Sequence, residues 1–494
     1  MRLKISARSS HLARLQAFEV GKAIQIQVPN AEIEFFFRES LGDKNLVDPL
    51  WKMPEKGVFT EDFHNDLIEE KTDLVVHSWK DLPTERRSDT TICGTLARAD
   101  QRDLLLFKKK SIEKLKSKVA VSIFSSSQRR IYNLEKFLLK ALPFAPEKIF
   151  FKDVRGNIPT RIEKLFASDE VDGLILAKAA LDRLLLIDHP DFKKLQIQLR
   201  QFLALAEFMV LPLSENPNAA AQGALAIEVK TTRKDLIELV QRVNHLPTFQ
   251  SAQQERDILA SYGGGCHQKI GIAVLKRSYG DITFLRGQTD QNEILDLQKI
   301  DLRSGHFSPP KNLKKISVSR IQGLFQRIEL DFKLPATANA FYISRVTAYR
   351  AVQGVVWTSG VETWKKLAAL NVWVNGCSES LGETEQTRIE SLVGQPLQWA
   401  KLTHKDSDNG EMLSVATYQI NMKLDLPEEA LRAENFFWMS AYQFDVITKK
   451  YPALKNKIHC CGVGSTFNSL TERLAEIGQR PYLFLNEAEW RKHG

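Results

Sequence analysis

Between residues 3 and 186 the chain alternates short apolar strands with amphipathic helices twice over, and that rhythm restricts it to a layered α/β fold. Residues 3–7 read as a strand, 12–24 carry apolar side chains at helical spacing, 33–37 read as a strand, 59–68 as an amphipathic helix and 72–77 as a buried strand. The pattern then repeats, with strands at 119–122, 148–152 and 173–176 and helices opening at Gln128 and Ile158. Two lobes around a cleft are the expected architecture, and clefts hold ligands. The apolar stretches 202–213 and 223–230 read as a return to the first lobe, so 1–98 with 200–230 forms one unit and 99–199 the other. A smaller α+β unit at 240–315, a linker at 306–315 and a C-terminal α/β region at 335–494 follow. In that last region the stretches after residues 357 and 461 echo each other, each placing a glycine turn between an apolar strand and a helix.

The length of 494 residues fits about three to four domains of ordinary size. A net charge of +9 admits either nucleic acid or a small polyanion as partner. There is no helix-turn-helix signature or zinc-finger spacing, which puts nucleic acid last. Five scattered cysteines and no C-x-x-C pair argue against a disulfide framework and against a structural zinc, and for a reducing compartment. With no signal-peptide pattern and no long apolar run, the expected location is the cytoplasm, with no membrane partner.

Chemistry concentrates at strand ends. Asp81, within His77-Ser78-Trp79-Lys80-Asp81-Leu82-Pro83, follows an apolar strand and is expected to be partly desolvated beside the cationic Lys80. Opposed influences of that kind mark acid–base sites; a turn cap before Pro83 is the plainer alternative. Ser127, Arg129 and Arg130 stand at a strand-to-helix junction, as do Arg155, Thr160 and Arg161 around Gly156. Arg8 with Ser9 and Ser10 makes a third such junction. Hydroxyls and free N–H groups at a helix start accept anions, and guanidinium groups grip carboxylates bidentately. Each junction alone reads equally as a serine cap with solvated arginines; three facing one cleft would make it basic. Cys266 follows three glycines, which leave room beside a thiolate, although a small buried residue in a turn is the plainer reading.

Taken in order, these segments resemble the porphobilinogen deaminase (hydroxymethylbilane synthase) family from residue 1 to about 315. The resemblance is carried by residues 4–13, by Lys56-Gly57-Val58-Phe59, by the His77–Pro83 segment, by Arg155-Gly156-Asn157 with Thr160-Arg161, by Gln222-Gly223-Ala224 and by Gly264-Gly265-Cys266. It implies two periplasmic-binding-protein-like lobes plus a small α+β domain carrying the cofactor cysteine, in a monomeric deaminase. It also implies a dipyrromethane cofactor attached covalently through Cys266. Asp81 is implied to be catalytic with Lys80 beside it, and porphobilinogen to be the substrate. Arg8, Ser127, Arg129, Arg130, Arg155, Thr160 and Arg183 are implied to hold the cofactor. Arg8, Gln16, Phe59, Arg155 and Arg161 are implied to meet substrate. Every added ring brings two more carboxylates, so many arginines suit the task. The chain departs from the family at Gln128, where leucine is usual, and after the cysteine, where His267-Gln268-Lys269 replaces a more apolar run. Residues 335–494 resemble uroporphyrinogen-III synthase through Phe437-Trp438-Met439-Ser440-Ala441 and Val463-Gly464-Ser465-Thr466. That likeness implies Ser440, Ser465 and Thr466 as carboxylate contacts in a region that cyclises the deaminase product. A two-lobed anion-binding protein without catalysis is the competing reading; it would need neither Asp81 nor Cys266.

Overall fold

Leu3, Ile5 and Ala7 alternate inward along the first strand, which buries that face against a helix, His11–Gln27, capped by the Ser10 hydroxyl at Ala13 N (3.4 Å). The structure, a computed structural model, describes residues 1–39, 60–264, 268–303, 308–407 and 410–493. Phe59 and Cys266, with the Lys56–Val58 segment, lie outside the described residues.

Strands β1 (Arg2–Arg8), β2 (Glu32–Arg38), β3 (Leu74–Ser78) and β4 (Thr90–Gly94) begin a first lobe. The chain then crosses to a second lobe, laying down β5 (Asp103–Lys108), β6 (Val121–Phe124), β7 (Ile149–Lys152), β8 (Gly173–Ala177) and β9 (Ala206–Val210), and returns with β10 (Leu225–Lys230). The sheets are β2-β1-β3-β10-β4 and β7-β6-β8-β5-β9. In each, four strands run in one direction, and the strand laid down just after a crossing inserts antiparallel to its neighbours. The protein is thus a mixed α/β structure. The 200–230 stretch read as first lobe is divided: β9 pairs with β5 in the second lobe, so the return begins after Val210.

The two crossings, 95–102 and 211–224, lie side by side. Ala99 N donates to Gly223 O (3.2 Å), and Gln222 Nε2 to Gln101 O (2.8 Å). Gly223 has a φ of +87°, and a Cβ there would stand 2.6 Å from Ala99 O, so only glycine permits this approach. A third unit adds helix Leu246–Ser261 and an antiparallel meander of β11 (Gly271–Arg277), β12 (Gly280–Gln288) and β13 (Ile294–Leu302). Glu255 of that helix is wholly buried; it accepts from Arg98 (2.8 and 2.7 Å), Ala221 N (2.8 Å) and Val274 N (2.9 Å), tying the third unit to both crossings.

The C-terminal region has two sheets of its own. β14 (Lys315–Ser317) pairs in parallel with a strand some 120 residues on. β15 (Phe325–Glu329), β16 (Ala340–Ile343), β17 (Val355–Thr358), β18 (Gly376–Cys377), β19 (Trp399–His404) and β20 (Leu413–Met422) form a six-stranded sheet. β21 (Asn435–Trp438), β22 (Ile458–Gly462) and β23 (Tyr482–Phe484) complete the other, with β14 at its edge. Both β14 and β15 precede residue 335, where the sequence pattern begins this region. The echoed segments do each join a strand to a helix: β17 to Val361–Ala369, and β22 to Ser465–Ala475. The six-stranded layer shares a core with the second lobe. Phe107, Val121 and Phe137 pack in one cluster with Phe341, Trp364 and Leu402, each fully buried Leu or Phe contributing about 1.5–3 kcal/mol. No helix among the described residues is long and apolar enough to cross a membrane.

Candidate active site

The segment after β3 folds as a single 3-10 turn, Trp79–Asp81. Trp79 takes its inward position, fully buried and 5.2 Å from the Phe249 ring, while Trp79 N donates to Ala224 O (3.1 Å). Arg256, from helix Leu246–Ser261, donates to Trp79 O and Leu82 O (both 3.1 Å) and to Pro83 O. The turn is therefore pinned from behind, and Asp81 emerges on its open side as an exposed residue. The partial desolvation expected for Asp81 falls on Trp79 instead, because only one side of so short a turn faces the core.

Asp81 opens onto a cleft lined also by Arg8, Ser10, Gln16, Thr60 and Ser78. Gln16 is buried and locked to Ser78, its Nε2 2.9 Å from Ser78 Oγ. Lys80 is half-buried and donates to Gln222 Oε1 (3.2 Å). Burial pushes the Lys80 ammonium below its ordinary value, with Asp81 opposing and Arg130 adding to that push.

From the second lobe, Arg161 lies near enough to couple electrostatically to Asp81. Asn157 caps helix Ile158–Ala167 at Thr160 N (3.0 Å) and also accepts from the Thr160 hydroxyl (2.8 Å). Arg161 donates Nε to Gly156 O (2.7 Å) and is half-buried. Its guanidinium is pushed down to about 10, first by burial, then by Arg130 and Arg155, while Asp81 pulls it back up. One aspartate from the first lobe and three arginines from the second thus share a single field.

Ser127 caps helix Gln128–Ala141 at Arg130 N (3.5 Å). Arg129 and Arg130 are buried rather than solvated. Arg129 meets Asp103 Oδ2 (2.8 Å) and Arg130 meets Asp103 Oδ1 (2.7 Å). Asn216 (2.8 Å) and Gln222 (2.9 Å) complete the shell around that wholly buried carboxylate. Burial alone would raise Asp103; the two arginines outweigh it and hold the group far below the usual carboxylate range. Arg130 Nε stays buried without a hydrogen-bond partner. Arg183 is tied to Glu19 Oε2 (3.1 Å) and Gly223 O (3.0 Å), bridging second lobe, first lobe and crossing. Lys80, Gln222, Asp103 and the Arg129–Arg130 pair therefore form one polar chain between the lobes.

Sequence reasoning missed Asp103, Gln222 as a side-chain bridge, and Arg256. Gln222 stood in a recognised segment; Asp103 and Arg256 carry no local signal. The four described cysteines, Cys93, Cys377, Cys460 and Cys461, are buried free thiols, and burial pushes Cys93 and Cys460 up to about 12. Among the described residues no cluster suits a metal ion.

The fold and site thus define a two-lobed α/β protein whose cleft is lined by a carboxylate, Asp81, and a guanidinium, Arg8. Residues 3–238 match the family model "Porphobilinogen deaminase, dipyromethane cofactor binding domain". The porphobilinogen deaminase of Syntrophomonas wolfei is 34% identical over 286 residues, covering 58% of this chain and 84% of that protein. That of a Nostoc species is 33% identical over 274 residues, covering 55% of this chain and 76% of that protein. The chain belongs to the porphobilinogen deaminase family. Among solved structures, the VFT2 domain of Bordetella pertussis BvgS is similar at a TM-score of 0.26 and 10% identity, over 53% of this chain and 92% of that one. That likeness is too slight to argue from.

Proposed function

We propose that the chain condenses porphobilinogen head-to-tail into hydroxymethylbilane with loss of ammonia, using Asp81 as the catalytic carboxylate. The observation that carries this reading is that Asp81 and Arg8 line one cleft, with Arg161 of the second lobe close enough to couple to Asp81. Positive charge developing on a pyrrole as the amino group of its aminomethyl substituent leaves as ammonia, the methylene carbon staying on the ring, needs a fixed anion, and Asp81 offers one without a neutralising contact of hydrogen-bond length from Lys80, whose Nζ is turned to Gln222. The acetate and propionate groups of the rings meet Arg8, Gln16, Arg155, Thr160 and Arg161. Arg129, Arg130 and Arg183 act mainly as the frame: their guanidinium groups are engaged by Asp103, Glu19 and backbone, and Arg130 Nε is left to donate.

The donor set fits the dipyrromethane cofactor of the family, whose four carboxylates need such cations and hydroxyls. A dipyrromethane held through Cys266 supplies the pyrrole carbon to which substrate rings are added. The other four thiols are buried, and a thiol held near 12 is a poor nucleophile, which supports Cys266 as the attachment point. Intact mass tests this: the purified chain should carry the adduct and Cys266→Ser should not. An adduct on the serine variant would overturn the choice, and a bare wild-type chain that still binds the substrate's carboxylates would favour the passive anion binder.

For the C-terminal region the proposed reading is cyclisation of hydroxymethylbilane to uroporphyrinogen III. Two α/β layers meeting at Gly382 and Gly464 support it; a Cβ on Gly464 would stand 2.9 Å from Gly382 N. Ser440 caps helix Ala441–Lys450 with its hydroxyl uncommitted to the cap, and Ser465 and Thr466 open helix Ser465–Ala475, so all three hydroxyls are placed to receive carboxylates. Incubation with porphobilinogen should yield isomer III; isomer I alone would refute this role.

A further inference from the structure

The crossings that join the two deaminase lobes are gripped by one short segment of the C-terminal region, residues 375–391. Asn375 O accepts from Val210 N (2.8 Å), where β9 gives way to the second crossing. Glu379 Oε1 accepts from Ser214 N (2.6 Å) within that crossing. On the first crossing, Arg102 donates to Thr387 O (2.7 Å) and Arg388 NH1 to Arg98 O (3.3 Å). The wholly buried Lys178, ion-paired to Asp100 of the same crossing (3.3 Å), also donates to Arg388 O. Ser391 closes the far end on Asp182 Oδ1 (2.6 Å). Both crossings are therefore held by one foreign segment, and by backbone atoms as much as by side chains.

The segment is strained where it grips. Glu379, Ser380 and Arg388 all lie in the left-handed region, with φ of 50°, 64° and 53°, although none is glycine. Non-glycine residues keep such a conformation only where their surroundings over-determine it, and such residues cluster at switches and clamps. Two adjacent connecting segments between lobes are the element through which hinge closure passes.

We propose that residues 375–391 act as a clamp on this hinge, with Glu379 and Arg388 as positioning residues, so that the C-terminal region sets the angle between the two deaminase lobes. The second lobe and the six-stranded layer move as one body, and the first lobe moves against both. By reciprocity, closing the lobes on a ligand changes the free energy of the C-terminal segment, and anything that reshapes that segment changes access to the cleft.

The test measures the distance distribution between spin labels in the full chain, one at exposed Lys22 in the first lobe and one at exposed Glu135 in the second, attached through ketone-bearing residues so that the native thiols are untouched. No substrate is added, so the outcome is independent of the proposed chemistry. Glu379→Ala with Arg388→Ala should widen the distribution about twofold. Trp364→Phe, which loosens the same interface at Ala141 O (3.0 Å) on the second lobe rather than at a crossing, should leave it as in the wild type. An unchanged distribution in the double variant overturns the proposal, and so does equal widening in Trp364→Phe. If the double variant fails to fold, Arg388→Ala alone, which removes the donor to Arg98 O, is read the same way and carries the same two outcomes.

Discussion

Replacing Asp103 by asparagine isolates the polar chain between the lobes. The carboxylate is wholly buried, with Arg129, Arg130, Asn216 and Gln222 all donating to it at 2.7–2.9 Å. Asparagine keeps the shape, removes the charge and turns a donor toward donors. Two buried guanidinium groups then lose their counter-ion, and removing one partner of a buried ion pair costs about 3–5 kcal/mol. Against a typical domain stability of about 5–15 kcal/mol this is a large fraction. Chemical denaturation of the full chain, followed by tryptophan fluorescence, should show the first transition moving to markedly lower denaturant. The sign with pH follows from the depressed carboxyl. Its contribution is complete above the ordinary carboxylate value of 3.8 and is lost progressively as pH falls from there toward the group's far lower folded value. Wild type and variant should therefore stay separated through neutral and mildly acid pH. A loss below about 1 kcal/mol would show that the arginines are compensated elsewhere and refute the reasoning.

Arg256→Ala should free the turn that presents Asp81 and lower kcat about 10–100-fold with a smaller change in KM; steady-state kinetics showing a pure KM effect would remove Arg256 from that role. Glu228 is held down to about 2: burial alone would raise it, but the hydrogen bonds and charge from His77 and the Thr90 hydroxyl outweigh that. Glu228→Gln should cost about 3 kcal/mol at neutral pH, and the difference from wild type should shrink as pH falls from about 4.5 through about 2, as acid titrations of stability would reveal.

The lobes were legible in the sequence because their strands bury one continuous run or one alternating face. β3, with Leu74, Val75 and Val76 all buried, is an example, and the helix starts at Ser127 and Asn157 carry their caps in plain view. Registers were less legible. The strand read at 119–122 forms two residues later, because its pairing with β7 runs from Val121 to Phe124 and leaves Val119 exposed. β14 is only three residues long and begins at Lys315, where the stretch read as linker ends; its pairing with Asn435–Phe437 makes it a strand. In the site, Asp81 and Lys80 stood out from their neighbours in the chain. The engagement of Arg129 and Arg130 by Asp103 did not, nor did Arg256 behind the turn. A buried charge is defined by partners distant in sequence, and no local spacing encodes it.

The central claim is that Asp81, set opposite the second lobe's arginines, drives ring addition, and a single-turnover experiment followed by intact mass tests it most directly. Mixed with a few equivalents of porphobilinogen, the wild-type chain should give a ladder of masses, one substrate residue per step. Asp81→Asn, with the turn and the arginines intact, should keep its starting adduct and add rings at least about 100-fold more slowly. A ladder formed by Asp81→Asn at the wild-type rate would contradict the claim.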